Sequence, residues 1–162
     1  MFNLESWKGH IYKNDIIGVI INGILTAIAV GILAGAIDYL FHLASFSMSL
    51  GLILMSYSVG FRVRKGYFSY HPLYPLLAIV FMIFGLFVET LTFYCFLRGV
   101  GSFFDILSSW NFYLNFLIFP VYDFYMLTVD FRVTYIFLGI INLIFFLFSI
   151  FICFKISGGR LK

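Results

Sequence analysis

Two acidic residues stand inside otherwise apolar stretches of this chain and are the first candidates for chemistry. Asp38 follows the first long apolar run directly, and Glu89 lies well inside the third predicted span, 72–97. Carboxylates are costly in hydrocarbon, so acids within a membrane usually mark a proton or ion pathway. His42 follows Asp38 by four residues, so the two share one face if this segment is helical. The sequence therefore predicts a candidate proton or ion site formed by Glu89, Asp38 and His42.

Structural roles for the same residues are the alternative. Glu89 would then form a hydrogen bond to a neighbouring helix, and Asp38 and His42 would simply stand at the water interface. Four asparagines within or beside the apolar runs favour interhelical hydrogen bonds in the same way, namely Asn22, Asn111, Asn115 and Asn142.

Other chemistry finds little support in the pattern of residues. The sequence contains no Walker loop, GxGxxG, HExxH, GxSxG or CxxC motif, so no catalytic residue is predicted. Bis-histidine haem needs two imidazoles at one level, whereas His42 and His71 are expected at opposite ends of the predicted spans. We therefore expect no metal and no cofactor. We also expect no nucleic-acid partner, because three basic residues in one loop are too few to bind a phosphate backbone.

Five long charge-free runs determine the fold class. Hydrophobic residues make up 63% of the 162 residues and charged residues only 10%, too few charges to cover the surface of a soluble domain. A bilayer core of roughly 30 Å accepts apolar helices of about 20 residues. The runs are Ile16 to Ile37, Leu43 to Phe61, Pro72 to Val88, Ile106 to Tyr122 and Val133 to Phe154. We expect an all-α integral membrane protein with one polytopic domain over 16–156, flanked by segments 1–15 and 157–162.

Basic residues predict the topology. Arg62, Arg64 and Lys65 follow the second run, and further Lys and Arg residues lie near both termini. By the positive-inside rule these regions share the inner side, which requires an even number of crossings. The weakest run, Asp105 to Thr128, contains Pro120, which disfavours a continuous helix. We expect four transmembrane helices at 16–41, 45–61, 72–97 and 132–155 plus a re-entrant or interfacial helix, with five spans as the alternative.

Two surfaces are predicted to make contacts. Gly23, Ala27, Gly31 and Gly35 recur at every fourth position of the first span, a ladder that lets another backbone approach closely. The contacted helix could belong to this chain, with the hairpin neighbour as the nearest candidate, or to another protein. The basic loop of Arg62, Arg64 and Lys65 either sets the topology or binds an anionic lipid or an acidic partner surface.

Three functions remain open from the sequence. First is a non-catalytic subunit of a larger energy-transducing, respiratory or transport complex, with membrane lipids and other membrane subunits as partners. The second is a small transporter, channel or substrate-binding membrane component that uses Glu89 and Asp38. The third is a membrane-embedded enzyme that uses Asp38, His42 or Asp123. A bacterial inner membrane and the inner membrane of an organelle both fit, with both termini on the inner side.

Overall fold

The computed structural model describes residues 11–43, 51–118 and 133–158, together with 121 and 126, and every element within the three ranges is helical. Predictions that involve Pro120, Asp123 or the termini lie outside these residues. The helices are α1 (Lys13–Leu43), α2 (Gly51–Lys65), α3 (Leu73–Arg98), α4 (Phe103–Ser108), α5 (Trp110–Ile118) and α6 (Val133–Ser157), with a 3-10 turn at Val100–Ser102.

Three of these helices are long and apolar enough to cross a membrane: Lys13–Leu43, Leu73–Arg98 and the Ile136–Ser157 part of α6. Their outward side chains are apolar, as lipid contact requires, and include Leu25, Leu33 and Leu40 on α1. The described part of α2 has 15 residues and falls below that length. The all-helical prediction is confirmed, while the number of crossings, four or five, stays a prediction.

The four long helices form a bundle in which α2 and α3 each contact α1 and α6. Gly23 of α1 faces Phe81 of α3, and Gly35 faces Glu89 further along both helices, so α1 and α3 run parallel. α2 runs the opposite way, because Gly66 just after its end meets Gly18 near the start of α1. The end of α6 also reaches this end of the bundle, where it contacts the α2–α3 loop.

The α2–α3 loop is bonded to the start of α1 and to the end of α6. The Tyr67 hydroxyl donates a hydrogen bond to the carbonyl oxygen of Ser157 at the end of α6. The Ser69 backbone N–H donates to the buried carboxylate of Asp15 at the start of α1, at 3.1 Å. The first residues of α1 and the last residues of α6 therefore lie at the same end, which we call the loop end.

The predicted small-residue ladder packs inside the chain. A Cβ atom on Gly31 would lie 2.7 Å from the backbone oxygen of Gly85, and one on Gly35 would lie 2.5 Å from the backbone oxygen of Glu89. Ala27 is fully buried on the same face. The contacted helix is α3 and not the hairpin neighbour α2, because this face of α1 meets α3 along most of its length.

The boundaries differ from the prediction at two places. The first predicted span ends at residue 41, whereas α1 stays helical through Leu43, so Asp38 lies within a helix. The weak fourth run is broken: α4 ends where Ser109 becomes extended, and α5 then begins at Trp110. α3 itself ends at Arg98, because Gly99 adopts a positive φ of 92° that side chains disfavour.

Substituting a ladder glycine tests the α1–α3 contact. Gly31→Ala is expected to lower the free energy of unfolding by about 1–3 kcal/mol, because its methyl group would overlap α3 backbone that cannot move away cheaply. Gly101→Ala is the matched control, since nothing lies within 4 Å of its Cβ position. The measurement is unfolding of the purified protein by SDS in mixed micelles. Equal stability of the two variants would contradict this packing.

Tyr67 gives a pH-dependent signature of the loop end. Burial raises the pKa of its phenol from 10.0 to about 12, against the opposing effect of the Arg64 guanidinium. Because the pKa is higher in the folded protein than in the unfolded chain, the protonated phenol stabilises the folded protein below pH 10. This stabilisation is lost as the pH rises towards 12. Titration of tyrosinate absorbance is expected to lose a late-ionising component when Tyr67 is replaced by phenylalanine. An unchanged titration curve in the variant would rule out this assignment.

Candidate functional site

A cavity of about 250 Å³ brings the two predicted intramembrane acids together at the end of the bundle remote from the loop end. Asp38 lines it from α1 and Glu89 lines it from α3. Three further polar residues share the lining, namely Thr90, Tyr94 and Asn115. The chain thus gathers five polar side chains from three helices around one space in an otherwise apolar bundle.

The packing of small residues places both carboxyl groups. Gly35 lies against the backbone of Glu89, and Asp38 follows Gly35 by less than one turn of α1. Glu89 is 6% exposed, and Asp38 is half-buried. Gly51 of α2 adjoins the Glu89 carboxylate, and its missing side chain leaves room for that group because a Cβ there would overlap Glu89 Oε1. Glycines on two helices therefore create the space that the acid occupies.

Helix α5 closes the cavity from the third side by folding back along α3. The Asn115 side-chain amide donates a hydrogen bond to the Tyr94 hydroxyl at 3.2 Å. The Phe116 ring packs edge-on against Phe87, with ring centroids 5.4 Å apart, and the Phe112 ring packs on Phe87 in the same manner. These contacts hold α5 beside the second half of α3.

Hydroxyl groups near the acids are bound within their own helix. The Thr90 hydroxyl donates to the Leu86 carbonyl oxygen, and the Thr92 hydroxyl donates to that of Val88, both at 2.8 Å. Each hydroxyl uses its proton in this bond, so the Thr90 oxygen can offer only lone pairs to the cavity. An oxygen lining of this kind, with two carboxyl groups, favours a ligand that is positively charged or donates protons.

The third member of the predicted site lies apart from the cavity. His42 is exposed, and its ring packs edge-on against Phe93 with centroids 5.6 Å apart. Among the residues that the structure describes, His42 does not line the cavity. His71 lies beside Tyr74 at the start of α3, at the other end of the bundle. In the described ranges no three His, Cys, Asp or Glu side chains cluster as metal ligands.

The basic loop lies at the loop end. Arg62, Arg64 and Lys65 form the exposed last turn of α2. The Arg64 guanidinium lies 4.8 Å from the centroid of the Tyr67 ring, and the Lys65 ammonium lies 4.5 Å from that of Phe61. Arg62 also borders a groove of about 500 Å³ between α1 and α2. These cations are therefore held on aromatic rings at the end of the bundle remote from the acids.

Sequence reasoning missed two parts of this arrangement. Asp15 ties α1 to the α2–α3 loop, although nothing in its sequence context distinguishes it from an ordinary helix-start acid. The aromatic wall of the cavity was also missed, since Phe and Tyr are too frequent in this chain for position to single any out. Of the asparagines, Asn115 makes an interhelical bond, whereas Asn22 donates to the Gly18 carbonyl of its own helix.

Comparison of the chain with protein-family models, with curated proteins and with solved structures found no match.

A double-mutant cycle tests the attachment of α5 to α3. Tyr94→Phe and Asn115→Leu each remove one partner of the 3.2 Å hydrogen bond. The cycle is expected to give a coupling free energy of about 0.5–1.5 kcal/mol in mixed-micelle unfolding, the usual net value of such a bond. Tyr94→Phe with Asn22→Leu is the control pair and is expected to show no coupling, because the Asn22 amide bonds to Gly18 of its own helix. Strict additivity of Tyr94→Phe and Asn115→Leu would contradict the attachment.

Proposed function

We propose that this chain is a polytopic membrane protein that binds a cation at Glu89 and Asp38, as a small transporter, channel or membrane substrate-binding component. The observation that carries the proposal is the cavity that both acids line. The two residues are far apart in the sequence, so their meeting follows from the way in which α1 packs on α3. Intramembrane acids that face a cavity are typical of ion and substrate pathways.

The backbone around the cavity supports the same function. The α4–α5 break at Ser109 lies near the cavity end of α3, and α5 returns beside the polar lining. Irregular backbone at membrane depth is tolerated where it lines a cavity or is buried in protein. A re-entrant α4–α5 segment would thus form one wall of the cation site, as transporters commonly use broken helices.

The proposed topology has four crossings, namely the three long apolar helices and α2. The start of α1 and the end of α6 meet at the loop end, which supports an even number of crossings. Arg62, Arg64 and Lys65 lie there as well, so the positive-inside rule assigns this end to the inner side. The membrane would be a bacterial inner membrane or the inner membrane of an organelle.

The other two functions receive less support from the geometry. The small-residue ladder, one of the features that suggested a complex subunit, packs on α3 of the same chain. Other membrane subunits as partners therefore stay a prediction that no described contact favours. An enzyme would need converging groups, and of the three residues considered for it only Asp38 lines the cavity in the described ranges.

Cation-dependent stability tests the proposal. A bound cation stabilises the folded protein by mass action, by about 2.7 kcal/mol at a hundred times its dissociation constant. The purified protein is titrated with monovalent inorganic and organic cations, and its unfolding temperature is recorded. At least one cation is expected to raise that temperature, and Glu89→Gln is expected to abolish the rise.

Asp105→Asn is the matched control, because this exposed acid of α4 is outside the cavity lining. It should respond to the cation as the wild type does. The proposal fails if no cation in the series raises the unfolding temperature, or if the Glu89→Gln protein responds like the wild type.

A further inference from the structure

Aromatic rings form much of the remaining wall of the acid-lined cavity. Besides the five polar residues, the described lining consists of Leu86, Phe93 and Phe116 together with the ring of Tyr94. A cavity with two carboxyl groups and three aromatic rings presents negative potential from both kinds of group, since the face of an aromatic ring is electron-rich. From this combination we infer that the cation bound there is organic: an amine or quaternary ammonium group that carries an apolar body.

Size separates an organic cation from a single inorganic ion. The cavity of about 250 Å³ is many times larger than the ~10–15 Å³ that one water molecule requires. A dehydrated metal ion would fill a small part of that space and would need a cage of oxygen atoms, about six to eight for Ca²⁺. The oxygens here are interrupted by apolar side chains. A small ammonium compound would fill the space and use both kinds of wall.

The rings are held in place before a ligand arrives. Phe93 packs edge-on against His42 and, at 5.8 Å, against Tyr94. Phe116 packs edge-on against Phe87. Rigid rings lose little conformational entropy when a cation binds, which favours affinity. The Tyr94 ring already has the Arg98 guanidinium 6.0 Å from its centroid, so Phe93 and Phe116 are the rings tested below.

Charge complementarity favours a cation over a neutral apolar molecule. Asp38 and Glu89 contribute two carboxyl groups, and within the described ranges no Lys, Arg or His side chain lines the cavity. The basic residues of α2 lie at the loop end instead. This inference rests on the proposed cation site and adds the chemical class of its ligand.

The test measures binding of radiolabelled tetraethylammonium to the full-length protein in lipid nanodiscs. The wild type is expected to bind it saturably, and Glu89→Gln is expected to abolish binding. Phe93→Leu and Phe116→Leu keep the wall apolar but remove the rings. Each is expected to weaken binding by about three- to thirty-fold, the range from an exposed to a desolvated cation–π contact. Phe93→Tyr keeps a ring and is expected to bind nearly as tightly as the wild type.

Phe148→Leu is the matched control, because Phe148 lies on the exposed face of α6 away from the cavity. A circular-dichroism spectrum and a monodisperse elution profile are recorded for each variant, and the Phe93→Tyr result guards against misreading a folding defect.

The outcomes separate this inference from the function on which it rests. If tetraethylammonium fails to bind while Na⁺ or another inorganic cation stabilises the protein in a Glu89-dependent way, the organic class is wrong and the cation site stands. If tetraethylammonium binds equally to Glu89→Gln, or equally to both ring-removing variants, the ligand class is wrong. If neither kind of cation acts through Glu89, both proposals fall.

Discussion

The close approach of α1 to α3 is the constraint on which the rest of this structure depends. Lipid tails are as apolar as leucine side chains, so no hydrophobic gain brings these helices together, and close van der Waals contact must hold them. Gly31 and Gly35 allow it, because each leaves the α3 backbone in the place where a side chain would stand. The register that results carries Asp38 to the same cavity as Glu89. A different register would separate the two acids.

The cavity shows how an apolar helical bundle accommodates carboxyl groups. Removing a carboxylate from water is costly unless polar groups or a counter-charge replace the solvent. Here the acids are grouped with a hydroxyl, a phenol and an amide at one level, while the cationic side chains of α2 are held on aromatic rings at the opposite end. The basic residues of α2 thus lie away from the acid-lined cavity, and Arg98 lies on the Tyr94 ring at the cavity end.

Local features of the sequence were enough to predict the helices and to single out the acids. Long runs without charge require helices in lipid, and Glu89 is conspicuous because an acid inside such a run is costly. The meeting of Asp38 with Glu89 could not be predicted, since the ladder on α1 shows that some backbone approaches but not which one or in what register. The contribution of Asn115 and Phe116 was hidden for a similar reason. α5 turns back after Ser109, a break that neither glycine nor proline marks.

The most direct measurement of the central claim is the proximity of residues 38 and 89 in the membrane. Asp38→Cys and Glu89→Cys are combined in a chain whose native cysteines, Cys95 and Cys153, are replaced by alanine, and a short bismaleimide is added to native-like vesicles. We expect an intramolecular cross-link between residues 38 and 89, detected by mass spectrometry. The pair Leu40→Cys with Glu89→Cys is expected to form none, because Leu40 is 62% exposed on another face of α1. Equal cross-linking of the two pairs would contradict the proximity of residues 38 and 89. The absence of a cross-link between residues 38 and 89 would contradict it as well, provided that each thiol still reacts with a monofunctional maleimide.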